Sequence, residues 1–150
     1  MLHFRGAACN RSYLSVLGVT HVLNTAEGKR SGTVDTCQAF YSPYNIKYKG
    51  LRLADASQTN ISLHFDDVAD FIDEALAAGG KVLVNCEMGM SRSSTCVLAY
   101  LMLRQRMTAS EALKKVREVR AVRPNPGFLA QLAELDTRLR GEREMVPGIA

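Results

Sequence analysis

Along the chain the apolar positions change period several times, and each change marks an element. Arg11–Leu17 reads as a short helix ended by Gly18, whose missing Cβ suits a left-handed C-terminal cap. Val19–Asn24 follows as a short strand. Between residues 27 and 45, Gly28, Ser31, Gly32, Ser42, Pro43 and Asn45 interrupt any period, which predicts an irregular surface loop. Tyr48–Leu53 alternates and gives a second strand. From Ile61 the spacing becomes helical: Ile61, Phe65, Val68, Ile72 and Leu76 share one face, and Asp66, Asp67, Asp70 and Asp73 lie on the other. Gly79-Gly80 stops this helix, and Lys81–Asn85 is apolar enough to be a central strand.

Helices dominate the rest. Ser93–Arg106 carries Val97, Leu98, Leu101 and Met102 on a buried side. Thr108-x-x-Glu111 is a capping box ahead of a helix bearing Leu113, Val116 and Val119. Asn125 caps the last helix with Pro126 at its first position. Phe128, Leu132, Leu135 and Leu139 make its apolar stripe, Gly141 is expected to close it, and a frayed tail runs over 142–150. Strands joined through helices predict an α/β fold, a mostly parallel central sheet flanked by helices.

A length of 150 residues suits one domain with its own core. The 47% hydrophobic and 23% charged residues are those of an ordinary globular protein, and neither disorder nor a membrane span fits, since no run approaches roughly 18 apolar residues. The net charge of +4 has two readings, a solvated basic surface or attraction towards acidic and phosphorylated partners. Nucleic acid is disfavoured, because no basic run is interleaved with aromatics. Cys9, Cys37, Cys86 and Cys96 show neither paired metal-site spacing nor a disulfide framework, and His3, His21 and His64 lie far apart. No metal and no cofactor are expected. The start does not resemble a signal peptide, so a reducing compartment, cytoplasm or nucleus, is expected.

The chemistry concentrates in Cys86-Glu87-Met88-Gly89-Met90-Ser91-Arg92, between a strand and a helix. Backbone N–H groups of Glu87 to Ser91 and the helix N-terminus can converge on an anion there. A positive field of that kind favours thiolate over thiol. A thiolate at Cys86 attacks phosphorus if the phosphoryl oxygens are held, and Arg92 supplies a planar fork that grips two at once. Gly89 lets the loop turn its amides inward, Met90 offers a greasy rim, and Ser91 or Ser93 can donate a hydroxyl to the sulfur. The bland alternative for Cys86 is a buried inert thiol; for Met90 and Cys96 it is packing.

A leaving oxyanion needs a proton. Asp55, in Leu53-Ala54-Asp55-Ala56-Ser57 at the end of the second strand, has two readings, a general acid worth on the order of 10²–10⁴ in rate or a plain loop carboxylate.

At these residues the chain resembles a known family. Val84-Asn85-Cys86-Glu87-Met88-Gly89-Met90-Ser91-Arg92-Ser93 is similar to the signature of the dual-specificity protein phosphatases, a branch of the cysteine-based protein tyrosine phosphatases. Gly18 to Gly28, Ala54-Asp55, Ala99-Tyr100-Leu101-Met102 and Pro124-Asn125-x-Gly127-Phe128-Leu129 also resemble the small atypical, VHR-type members. The resemblance spans about residues 11–141 and implies a protein tyrosine phosphatase-like fold and a metal-independent phosphatase. Its nucleophile would be Cys86, its phosphate binder Arg92 and its general acid Asp55. Ser93 would assist breakdown of the phosphoenzyme. Arg120 matches a position that holds a second phosphate of the substrate, its alternative being an exposed helix-end arginine. The implied partners are phosphorylated proteins and kinases of signalling pathways.

Two departures qualify this. Asn85 stands where the family usually has His, so turnover is expected to be slower but not absent. Residues 1–10 do not resemble the family's usual first strand and turn, so that strand is expected to be lacking and a sheet edge left bare. Glu87 adds a negative charge at the entrance. A second functional reading follows from the departures, a pseudophosphatase that binds phosphoproteins with little turnover. A third, a CxxxxxR enzyme of another kind, fits poorly with a loop past mid-chain.

Overall fold

The computed structural model describes residues 2–3 and 5–145. Four parallel strands, β1 (Leu2–His3), β2 (His21–Asn24), β3 (Lys47–Gly50) and β4 (Val82–Asn85), lie in the spatial order β1-β4-β2-β3. All four residues of β4 are buried, as a strand covered on both faces requires. It pairs with β2 from His21↔Val82 to Asn24↔Asn85. Successive side chains leave a strand on opposite faces. Leu23, Val82 and Val84 accordingly join one core cluster, and Val22 and Leu83 the other.

The larger cluster lies under four helices: α4 (Phe65–Ala77), α5 (Arg92–Arg104), α6 (Ala109–Arg117) and α7 (Pro126–Glu144). Phe65, Val68 and Ile72 of α4 meet Leu98 and Met102 of α5 and Phe128 and Leu132 of α7 there. The opposite cluster holds Leu14 of α2 (Arg11–Val16) with Val19, Tyr41 and Ile46. The expected acidic face of α4 is outside this core, and Arg104 reaches Asp70 (2.7 Å) and Asp73 (2.5 Å) on it. The Thr108/Glu111 capping box is formed, with both reciprocal bonds at 3.1 Å.

Several expectations need correction. Residues 27–45 hold a helix, α3 (Gln38–Tyr41), and a 3-10 turn at Ser42–Tyr44. In α3 and this turn the one buried side chain is Tyr41, whose hydroxyl donates to the Ala8 carbonyl at 2.6 Å, and a single anchor leaves no period to read. The second strand stops at Gly50; beyond it Arg52 makes only an isolated antiparallel bridge to Ala26. Ile61–His64 is a 3-10 turn before α4 rather than its first turn. Val119 lies beyond α6 and is 90% exposed. Gly141 does not end α7, which runs through it to Glu144. Of the expected frayed tail, 146–150 lie outside the described residues. The sheet edge beside β4 is not bare: β1 pairs Leu2↔Val84 and His3↔Asn85, and α1 (Arg5–Ala8) follows it.

Candidate active site

Cys86 directly follows β4, and the five residues after it form a loop that delivers the chain into α5. A trans peptide sets each carbonyl opposite the N–H of the next residue, and no cis bond occurs among the described residues. The loop carbonyls are held one by one from outside. Glu87 O accepts from Arg5 N (2.9 Å), Met88 O from Arg120 Nη2 (3.2 Å) and Gly89 O from Arg120 Nε (3.2 Å). Met90 O accepts from Arg123 N (2.8 Å) and Ser94 Oγ (2.6 Å), and Ser91 O from Ser94 Oγ (2.9 Å) and Thr95 Oγ1 (2.8 Å). The N–H groups of residues 88–92 are thereby turned to the other side. Gly89 N–H reaches the Cys86 Sγ at 3.1 Å, from a backbone φ of 69° that favours glycine.

Ser93 Oγ also lies within hydrogen-bond distance of the sulfur, at 3.1 Å. The Cys86 side chain packs against Ala26 and Val34 and is buried, yet it lines an open cleft of about 980 Å³ and so forms part of its floor. Cys96, one helical turn into α5, is wholly buried; burial pushes its thiol up to about 12, with the neighbouring Cys86 adding to the effect. It packs rather than reacts.

Arg92 is only 5% exposed and also lines the cleft. Its Nη1 donates to Leu53 O (2.9 Å) and its Nη2 to Gly32 O (2.7 Å), so two loops fix the guanidinium. Its Nε is buried without a partner. A buried N–H of a cation left unbonded is costly, and an anion bound within its reach would relieve that cost.

Asp55 sits in the loop after β3 and is clamped through one oxygen. Oδ1 accepts from Ser91 Oγ (2.8 Å) and from Asn125 Nδ2 (2.9 Å), while Ser91 Oγ itself accepts from Asn125 N (3.0 Å). Ser91 is the N-cap of α5, but its hydroxyl makes no capping bond. The first N–H groups of α5 therefore stay open to an anion.

The structure thus brings Cys86, Glu87, Met88, Met90, Ser91, Arg92 and Asp55 to one cleft, with Gly89 and Ser93 on the sulfur. Arg120 lies after α6 and is partly exposed. It does not line the cleft, and two of its N–H groups are engaged on loop carbonyls. The cleft cations beside Arg92 are Lys29, Arg30, Arg52 and Arg123. Asn85 is fully buried, and its Nδ2 donates to Asn24 Oδ1 (3.2 Å) on the neighbouring strand. Asn24 passes the contact on to Val34 O (2.9 Å), Thr36 Oγ1 (3.1 Å) and the Tyr48 hydroxyl (3.3 Å).

Arg5, Gly32, Leu53, Arg123 and Asn125 are site residues that sequence reasoning did not find. Arg5, Gly32 and Leu53 act through main-chain atoms, as Arg123 does towards Met90 O, and such contacts carry no side-chain signal. Asn125 was legible as an N-cap, and its Oδ1 does accept from Phe128 N at 2.9 Å, but nothing local to its sequence reveals the second bond to Asp55. Among the described residues no group of three or more His, Cys, Asp or Glu is placed to hold a metal ion, and no helix is long and apolar enough to cross a membrane.

The family model for the dual specificity phosphatase catalytic domain matches residues 5–138. Dual specificity protein phosphatase 26 of Homo sapiens is 48% identical over 134 residues, 89% of this chain and 62% of that protein, so the chain spans less than two thirds of this relative. The crystal structure of human DUSP28 superposes with a TM-score of 0.81 at 24% identity, over 95% of this chain and 94% of that one, a likeness of fold. The crystal structure of DUSP15 gives 0.78 at 28% identity, over 99% and 92%.

Proposed function

Since the chain belongs to the dual-specificity phosphatase catalytic-domain family, we propose that it hydrolyses phosphotyrosine and phosphoserine or phosphothreonine in proteins through a phosphocysteine. The observation that carries the reading is Arg92, a buried guanidinium anchored on two carbonyls with its Nε still unpaired beside the cysteine loop.

In the proposed reaction the phosphoryl oxygens sit on the N–H groups of residues 88–92 and on Arg92, where the developing charge is met by donors already in place. Cys86 Sγ bonds to phosphorus as the ester P–O bond breaks, and Asp55 gives its proton to the leaving oxygen. Water then attacks the phosphocysteine, Asp55 takes a proton from it, and the S–P bond breaks. The Ser93 hydroxyl, 3.1 Å from Sγ, steadies the sulfur as it leaves. The open cleft, lined by Lys29, Arg30 and Arg123 as well as by Glu27 and Glu87, with Arg52 paired to Glu27, suits a phosphorylated protein segment. Phosphoproteins of kinase signalling in the cytoplasm or nucleus are the substrates this reading expects.

A pseudophosphatase needs the cradle and Arg92 alone. The Ser93 contact with the sulfur and the clamping of Asp55 are superfluous to binding and favour turnover. Hydrolysis of para-nitrophenyl phosphate by the purified chain, with Cys86→Ser as control, decides the matter. Release abolished by that change supports the enzyme. Binding of a phosphopeptide without release from either protein overturns it in favour of the pseudophosphatase.

A further inference from the structure

The acid loop is fastened to α7 at three successive heights. Asn125 Nδ2 holds Asp55 Oδ1 at 2.9 Å. Six residues along, Gln131 Nε2 donates to Thr59 O (2.9 Å) and Gln131 Oε1 accepts from Ser62 N (3.0 Å). Between them lies Gly127, where the two backbones meet directly. A Cβ at residue 127 would overlap the Ser57 carbonyl oxygen and lie 2.5 Å from Ser57 Cα and 2.6 Å from its carbonyl carbon. These are main-chain atoms, so no side chain can swing away and residues 56–58 would have to move. Gly127 is not strained; its φ is not among the positive ones. Its place in the first turn of α7 gives no conformational reason for glycine, since alanine is the better helix former. The reason is the close approach of Ser57.

We infer that Gly127, with Gln131 behind it, is a positioning residue for the general acid: the bare backbone at 127 lets the 55–62 segment seat on α7 and so fixes Asp55 against the cysteine loop. The inference rests on the acid role proposed for Asp55 and extends it to residues that touch neither substrate nor sulfur. A methyl group at 127 pushes Ser57 outward, and Asp55, two residues away, leaves its place while Cys86, Arg92 and the cradle stay.

That pattern has a signature that general damage lacks. Protonation of the leaving oxygen matters for a poor leaving group and hardly at all for one that departs as a stable anion. The test is kcat/KM, which reports the first chemical step, for aryl phosphates spanning leaving groups from unsubstituted phenol to polyfluorinated phenols. Gly127→Ala is expected to lose at least about tenfold with phenyl phosphate and less than about threefold with the best leaving group, and to flatten the alkaline limb of the pH profile. Asp55→Asn gives the reference pattern, and adding Gly127→Ala to it should cost little more. Equal losses across the leaving groups, or no loss, overturn the inference. If Gly127→Ala does not fold, Gln131→Leu, which removes the Thr59 and Ser62 bonds, must show the same leaving-group bias or the inference falls. Should the unmodified chain hydrolyse none of these esters, the proposed function fails and this inference with it. Should Asp55→Asn show the bias and both α7 variants not, this inference alone fails.

Discussion

Arg120 holds the Gly89 carbonyl oxygen from behind the cysteine loop, Nε to O at 3.2 Å, and takes the Met88 carbonyl with its Nη2. The same arginine at the cleft surface would attract a second phosphate; here it orients the amides of residues 89 and 90. Arg120→Ala is therefore expected to lower kcat/KM about tenfold on a small aryl phosphate carrying a single phosphate, the size expected for hydrogen bonds to a charged donor. Steady-state kinetics on that substrate check it. A residue reserved for a second phosphate would leave this rate unchanged.

Arg92→Lys keeps the charge and loses the fork. Lysine cannot bond Leu53 O and Gly32 O together and still offer an N–H to phosphate, so both carbonyls lose their partner. A fall of about 10²–10³ in kcat/KM is expected, as for removal of a preorganised donor from a transition-state site. Kinetics paired with circular dichroism separate this from unfolding.

The Asn24–Asn85 contact crosses between strands where both side chains are wholly buried. Asn24→Ala strands Asn85 Nδ2 and Ala26 N, which also bonds Asn24 Oδ1 at 3.0 Å, and removes the donors to Val34 and Thr36. About 2–3 kcal/mol of stability should be lost, measured by urea unfolding. Asn85→His places the family's usual residue beside the cysteine and is expected to raise kcat on an aryl phosphate; an unchanged rate shows that the amide is not what slows turnover.

His21 couples stability to pH. Burial lowers its pKa, with the charge of Lys47 adding to this and that of Glu74 opposing it. The unfolded chain then binds more protons than the folded one as pH falls through the ordinary histidine range, so this group's stabilising share is present above about 6.5 and declines below it. Denaturant midpoints between pH 7.5 and 5.5 should fall, and His21→Gln should shallow the slope. A steeper slope in that variant would contradict the assignment.

Much of this was legible in the chain because periodic patterns and adjacent motifs are local. The stripe Phe128, Leu132, Leu135, Leu139 is buried as its spacing demands, and the Cys86-to-Arg92 loop stands between a buried strand and a helix as read. The pairing of Asp55 with that loop was open in the sequence, where a plain carboxylate read equally well; its partners Ser91 and Asn125 lie 36 and 70 residues away. α3 was hidden because one anchored tyrosine makes no rhythm. The bonds from Arg120 to the Gly89 and Met88 carbonyls were hidden because a motif gives a position and says nothing of which way a long side chain turns.

The bond from Arg5 N–H to the Glu87 carbonyl is made by main chain alone. Alanine scanning across residue 5 would pass over it, and substitutions there are free to accumulate while the contact survives. Proline is the informative probe: it deletes the donor yet is tolerated at the first position of a helix, where Arg5 stands. The wall of this pocket is thus partly written in the path of the polypeptide, where drift in residue type does no harm and a one-residue slip in alignment undoes it.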